Sequence, residues 1–228
     1  DSLLLEQDAD LRYYRSSVAR YGSDNFLVVT YTARRDLFSA TTLADLESLR
    51  DQLFAMERVQ QVISMLDVPL IETPGTTLLT LQKHVPTLES PTTDPELARA
   101  ELLDSPIYSN LLMSLDGDTT ALLVRFRDNE EFAGLQTERD RLREKMLAGR
   151  LDPEENRAKD LMTERINELG RMMKDQEQAD IAKVREILAG HTEYAEIHVG
   201  GVPMIVSDMI DYIRHDILVF GSGILLFL

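Results

Sequence analysis

The chain has 228 residues, with 40 acidic against 24 basic side chains, a net charge of −16 and no cysteine. That length suits one large domain, or one domain with a sizeable insertion, and 43% hydrophobic with 28% charged residues is globular composition. The acidic balance argues against nucleic acid, whose phosphates demand a basic face, and the missing cysteines remove disulfides, thiol nucleophiles and cysteine-ligated zinc.

The first residues, "DSLLLEQDAD", have neither a basic n-region nor an apolar h-region, so no signal peptide is expected in them. Glu6, Asp8 and Asp10 alternate in a polar stretch and read as solvated rather than metal-binding. "DNFLVVTYTA" (24–33) is rich in β-branched and aromatic residues and predicts a buried strand. Apolar residues at 43, 46, 49, 53 and 56 then make one face of a helix over 41–57, capped at Thr41 or Thr42. "RVQQVISMLDVPLI" (58–71) predicts a second strand, over 58–66 and ended at the latest near Pro69. Prolines 74, 86, 91, 95 and 106 exclude a long regular element over 72–106, apart from a short helix starting near Pro95.

"SNLLMSLDGDTTALLVRFR" (109–127) sets two apolar runs around Asp116-Gly117, a hairpin signal. Residues 129–189 then change period and form a helical hairpin. Its break, "AGRLDPEE", offers Gly149 as helix end, Asp152 as N-cap, Pro153 as first helical residue and Glu155 in a capping box. Phe132, Leu135, Leu142 and Met146 space one apolar stripe. Leu161/Met162, Ile166, Leu169, Met172/Met173, Ile181, Val184 and Ile187/Leu188 space the other. "EYAEIHVGG" (193–201) alternates as a last short strand. Finally, Ile217 to Leu228 are all apolar or small: twelve residues, against the ~20 a membrane-spanning helix needs. They suit either a buried C-terminal element or the top of a membrane helix.

The order is close to βαββαβ, so the expected class is α+β: a ferredoxin-like sandwich with an antiparallel coiled-coil hairpin inserted before its second helix. Domain boundaries follow, with 1–128 plus 190–203 as the α+β body, 129–189 as the hairpin and 204–228 as the closing segment. Charge separates along the same line: 129–190 holds 15 acids and 12 bases, the remainder 25 and 12.

The search for chemistry returns little. His84, His191, His198 and His215 are scattered, with no pair at metal-ligand spacing. "SLDGD" (114–118) resembles part of a calcium loop, but Arg127 stands where its twelfth-position glutamate belongs, so a β-turn is expected. No G-x-S-x-G and no Walker glycine loop occurs. No catalytic residue, metal site or cofactor is expected, and the chain does not read as an enzyme. The methionines, Met113 among them, suit either core filling or an adaptable lipid-binding wall.

"LEQDADLRYYRSSVARYGSDNFLVVTYT" (5–32), "SPIYSNLLMSLDGDTTALLVRF" (105–126), "AGRLDPEE" (148–155) and "GGVPMIVSDMIDYIRHDILVFG" (200–221) together resemble the RND superfamily. More narrowly, they resemble its predicted-exporter branch, with the MMPL and Patched-like lipid transporters and the bacterial hopanoid and sterol exporters. The resemblance implies the first periplasmic porter domain of an inner-membrane transporter, on the periplasmic side, with 204–228 leading into a truncated transmembrane helix. It implies a sterol- or hopanoid-like lipid as cargo. The implied partners are the remaining transmembrane and second periplasmic parts of the same transporter, with a periplasmic lipid-carrier or adaptor protein as a further one. Proton-relay acids of that family would lie outside this chain.

Candidate lipid-binding residues are Leu78, Leu79 and Leu81 in the Pro-rich connector and Leu111, Leu112 and Met113 in the hairpin. Apolar residues on irregular segments must cover something, either the sheet or a pocket. The alternative function is a non-transporting interaction module whose helical hairpin recruits a partner protein.

Overall fold

The computed structural model describes residues 25–71, 85–91 and 93–227, together with Tyr13 and Ser17. The chain divides into two compact units, 1–126 with 191–228, and 127–190. It is an α+β protein built on a four-stranded, wholly antiparallel sheet.

β1 (Phe26–Ala33) is the strand that its β-branched and aromatic residues predict, with alternate residues buried. α1 (Ala40–Phe54) starts one residue earlier than expected. Its N-cap is Ser39, whose hydroxyl accepts from the Thr42 amide at 3.3 Å, not Thr41 or Thr42. β2 (Val59–Ile63) is shorter than the apolar run suggests. It stops because Asp67 turns the chain: its carboxylate accepts from the Ser64 amide at 2.9 Å and the Ser64 hydroxyl at 2.6 Å. The rest of the run still enters the core through Met65, Leu66, Val68 and Leu70. α2 (Pro95–Asp104) begins at the expected proline, capped by Asp94.

β3 (Thr119–Phe126) follows a tight turn with Gly117 at φ +76°, a conformation glycine adopts freely. The first arm of the expected hairpin is not a strand. Residues 105–113 instead form hydrogen-bonded turns that touch β3 through an isolated bridge, Met113 to Thr120. β4 (Ala195–Gly200) completes the sheet in the order β2-β3-β1-β4.

Register decides what each face and end of this sheet carries. Leu27 with Val124, Val29 with Leu122 and Val199, and Tyr31 with Thr120 and Ile197 share one face. That face packs with Leu46, Leu49 and Leu53 of α1 in the core. Each such leucine stabilises the unit by about 1.5–3 kcal/mol. The opposite face carries Val28, Thr30, Ala121 and Leu123, half-buried. Phe26 lies opposite Arg125 and Val28 opposite Gly200 at one end of the sheet, Thr32 opposite Thr119 and Ala33 opposite Ala195 at the other.

α5 (Val202–Phe227) leaves the Phe26 end directly from β4. Among the described residues no helix is long and apolar enough to cross a membrane. The joint is tight: a Cβ on Gly201, at φ +137°, would lie 2.6 Å from the Phe26 carbonyl oxygen.

The second unit is a helical pair, α3 (Glu130–Leu147) and α4 (Pro153–Ala189), antiparallel and capped as the sequence signals. Gly149 takes φ +65° at the break, and Asp152 accepts from the Glu154 and Glu155 amides in a capping box. Leu142, Ile166 and Leu169 are buried, with Ile181, Val184, Ile187 and Leu188 further along α4. Within the doublets, Leu161 and Met172 point outward and Met162 and Met173 are half-buried, so the stripe is narrower than the sequence allowed. Arg165 to Glu131 at 2.9 Å and Lys145 to Glu155 join the two arms. Two helix-interior glycines interrupt this unit. A Cβ would meet nothing within 4 Å at Gly134, and only the Phe132 ring edge at 3.8 Å at Gly170. Gly134→Ala and Gly170→Ala are each expected to stabilise the pair by about 0.5–1 kcal/mol, measured as a higher midpoint in thermal denaturation followed at 222 nm.

Candidate functional site

The three hairpin residues singled out from sequence come together around one cleft. It has a volume of about 250 Å³ and is walled by Leu111, Leu112 and Met113 from the turns, with Thr30, Thr120 and Ala121 from β1 and β3. The turns hold their shape through backbone bonds. Leu112 donates to the Tyr108 carbonyl at 2.8 Å, and the Leu112 carbonyl accepts from the Ala121 amide and the Thr120 hydroxyl, both at 2.9 Å. Asn110 sits at φ 60°, a conformation asparagine tolerates better than most residues, and its amide donates to the Met113 carbonyl at 2.8 Å.

The three residues do different things. Met113 is buried and belongs to the core; Leu112 is half-buried; Leu111 stands out into solvent. The cleft mixes these apolar walls with the hydroxyls of Thr30, Ser114, Thr119 and Thr120. Pockets for drug-sized ligands span ~300–1,000 Å³, so this one matches a segment of an acyl chain or one end of a ring system. Leu78, Leu79 and Leu81 lie outside the described residues, as does His84. Two larger surface hollows, about 570 Å³ along α4 and about 520 Å³ along α1, are bordered mainly by charged and polar side chains such as Arg165, Glu168, Glu47 and Asp51. Neither suits an apolar ligand.

A second arrangement had no counterpart in the sequence reading. His191 and Asp45, with side chains 7% and 8% exposed, meet at 2.7 Å between Nδ1 and Oδ1. Tyr31 donates its phenol proton to the other oxygen of Asp45 at 2.8 Å. Gln52 Nε2 lies 3.1 Å from His191 Nε2. All four groups find partners in one another: the His191 Nδ1 meets Asp45 and its Nε2 meets the Gln52 side-chain amide. Burial first, then the bond to Asp45 and its charge, pushes the Tyr31 phenol far above the ordinary tyrosine range.

The second nitrogen of the imidazole is bonded to the Gln52 amide and not to a hydroxyl, so among the described residues this histidine activates no nucleophile. The role of the network is to tie β1, α1 and the turn before β4 in one buried set of bonds. A signal for it was present: Asp45 sits beside Leu46 on the stripe of α1 that carries Leu49 and Leu53. An acid on an apolar stripe needs a buried partner. Its partner, 146 residues away in sequence, was not legible. The other described histidines are exposed, and among the described residues no three His, Asp or Glu side chains converge as a metal site would require.

Asp116 shows what the "SLDGD" stretch does. Its carboxylate accepts from the Ser114 hydroxyl at 2.5 Å and the Asp118 amide at 3.3 Å, and these bonds hold its pKa below the usual range. That is the turn expected of it. Comparison of the chain with protein-family models finds no match, and comparison with curated proteins finds none either.

Proposed function

We propose that this chain is the porter-like periplasmic domain of an RND-type exporter, attached to the bacterial inner membrane through α5, and that it takes up a hydrophobic lipid such as a sterol or hopanoid. On this reading the sheet unit is a ferredoxin-like sandwich. The order β2-β3-β1-β4, with β1 and β2 both antiparallel to the β3 that separates them, supports that assignment.

The observation that carries the proposal is the far half of α5. Ile217, Leu218, Val219 and Phe220 are consecutive, so they point around the whole helix, and each is more than half exposed. A helix apolar on all sides is stable only in an apolar medium, and a lipid bilayer is the medium that suits it. Since α5 joins β4 through Gly201 with no intervening loop, residues 202–216 then hold the sheet ~22 Å from the membrane surface, and a lipid reaches the cleft only after leaving the bilayer. The alternative, an interaction module recruiting a partner through the helical pair, draws support from Leu147, Leu161 and Met172, exposed on an otherwise charged unit.

Equilibrium binding of a sterol, a hopanoid and a phospholipid separates the two. Saturation at micromolar lipid is expected for at least one, and Ala121→Phe, which fills the cleft from β3, should weaken it tenfold or more. If no lipid saturates below ~100 μM, a level worth only ~5.5 kcal/mol, or if Ala121→Phe changes nothing, the lipid reading fails at this cleft.

A further inference from the structure

We propose that the turns between α2 and β3 form a docking surface for a protein whose contact face offers apolar side chains inside a basic rim. Ile107, Leu111 and Leu115 are 64%, 72% and 71% exposed within nine residues of chain. Loose loops can fold such side chains inward; these turns cannot. Leu112 and Ser114 are bonded to β3, and the Tyr108 hydroxyl donates to the Pro69 carbonyl at 2.9 Å. The Gly117 turn rests on Leu103 of α2. Three large apolar groups are therefore presented outward on a fixed frame, the usual mark of a contact surface.

Charge selects the occupant. Asp104, Asp116 and Asp118 are exposed in the same stretch, and the bonds that Asp116 accepts keep it ionised. A second copy would set acid against acid, and an anionic membrane would meet the same repulsion. Position argues likewise, because register puts Thr119 and these turns at the end of the sheet remote from α5. A basic-rimmed protein meets both the apolar centre and the acidic edge. Position alone rests on the reading of α5 as a membrane anchor; the exposed Ile107 and Leu115 and the acidic edge do not.

The test uses the whole chain and a short peptide of alternating leucine and lysine, with leucine–glutamate and serine–lysine peptides beside it. Binding is followed by fluorescence anisotropy, and folding by circular dichroism. Ile107→Ser with Leu115→Ser removes two exposed side chains that do not wall the cleft, so lipid binding should be unchanged. The expected result is that the leucine–lysine peptide binds the unaltered chain at least about tenfold more tightly than the double variant. The serine–lysine peptide should not tell the two apart, and the leucine–glutamate peptide should bind neither. Equal binding of the leucine–lysine peptide to both proteins overturns the proposal. So does self-association, or attachment to anionic phospholipid vesicles, that the double substitution abolishes.

Discussion

Replacing Gly201 with alanine is expected to lower the stability of the sheet unit by about 4 kcal/mol. Two effects add. At φ +137° an L side chain is strained, which costs about 1–3 kcal/mol. The new methyl group would also lie 2.6 Å from the Phe26 carbonyl oxygen and 3.2 Å from the Leu27 Cα. Both are backbone atoms of the strand that pairs with β4, so neither can swing aside as a flexible side chain could. Relieving the contact means parting β4 from β1 or moving α5, and such overpacking costs about 1–3 kcal/mol more. For a unit of this size the unfolding midpoint should fall by roughly 8–16 °C in calorimetry. Gly200→Ala is the control: no atom lies within 4 Å of a Cβ there, and its φ is not positive. A midpoint for Gly201→Ala within a degree or two of that control would show that the joint is slack.

The second large effect is expected at Asp45. Asp45→Ala leaves the Tyr31 hydroxyl and the His191 Nδ1–H buried without an acceptor, at a cost of about 3 kcal/mol. Asp45→Asn keeps one carbonyl oxygen and should lose less. Alkaline titration gives an independent reading. Burial, and after it Asp45, raises the folded-state pKa of Tyr31, so above pH ~10 the unfolded chain gives up the proton that the folded chain keeps. Stability from this group is fully present below that pH and is lost as pH rises further. In Asp45→Ala one cause of the shift is gone while burial remains, so the folded-state phenol should ionise at lower pH than in the unaltered chain. Absorbance titration of the folded proteins at 295 nm tests this, and coincident curves for the two proteins would exclude Asp45 as a cause.

Legibility from sequence followed the range of the interactions. β1 was marked by its β-branched and aromatic residues, β4 by its alternation, and the helical pair by its caps and stripes, because these depend on neighbours a few residues apart. What went unread was set by distant atoms. β2 is cut short at Ser64 by a carboxylate three residues on, although the run continues apolar to Ile71. Residues 111–115 carry a strand-like run, yet their backbone bonds go to Tyr108 and β3, which makes turns of them. At the candidate site, Leu111, Leu112 and Met113 were found together, but a linear reading could not tell that Met113 faces inward and Leu111 outward. The Asp45–His191 pair lay beyond reach because the sheet brings it together.

The sheet's register also has a consequence for how the chain assembles. β1 is an inner strand, yet Val28 pairs with Leu123 and with Gly200, so its partners lie roughly 95 and 170 residues later. At ~5–20 residues per second, a ribosome leaves the apolar segment Phe26–Ala33 without its last partner for roughly ten to thirty seconds. The helical pair, held by contacts between neighbouring arms, can form in that interval, since local structure closes in microseconds. Completion of the sheet then waits on the last strand before α5. Whatever shields β1 during synthesis therefore governs the yield of folded chain, independently of how stable the finished sheet is.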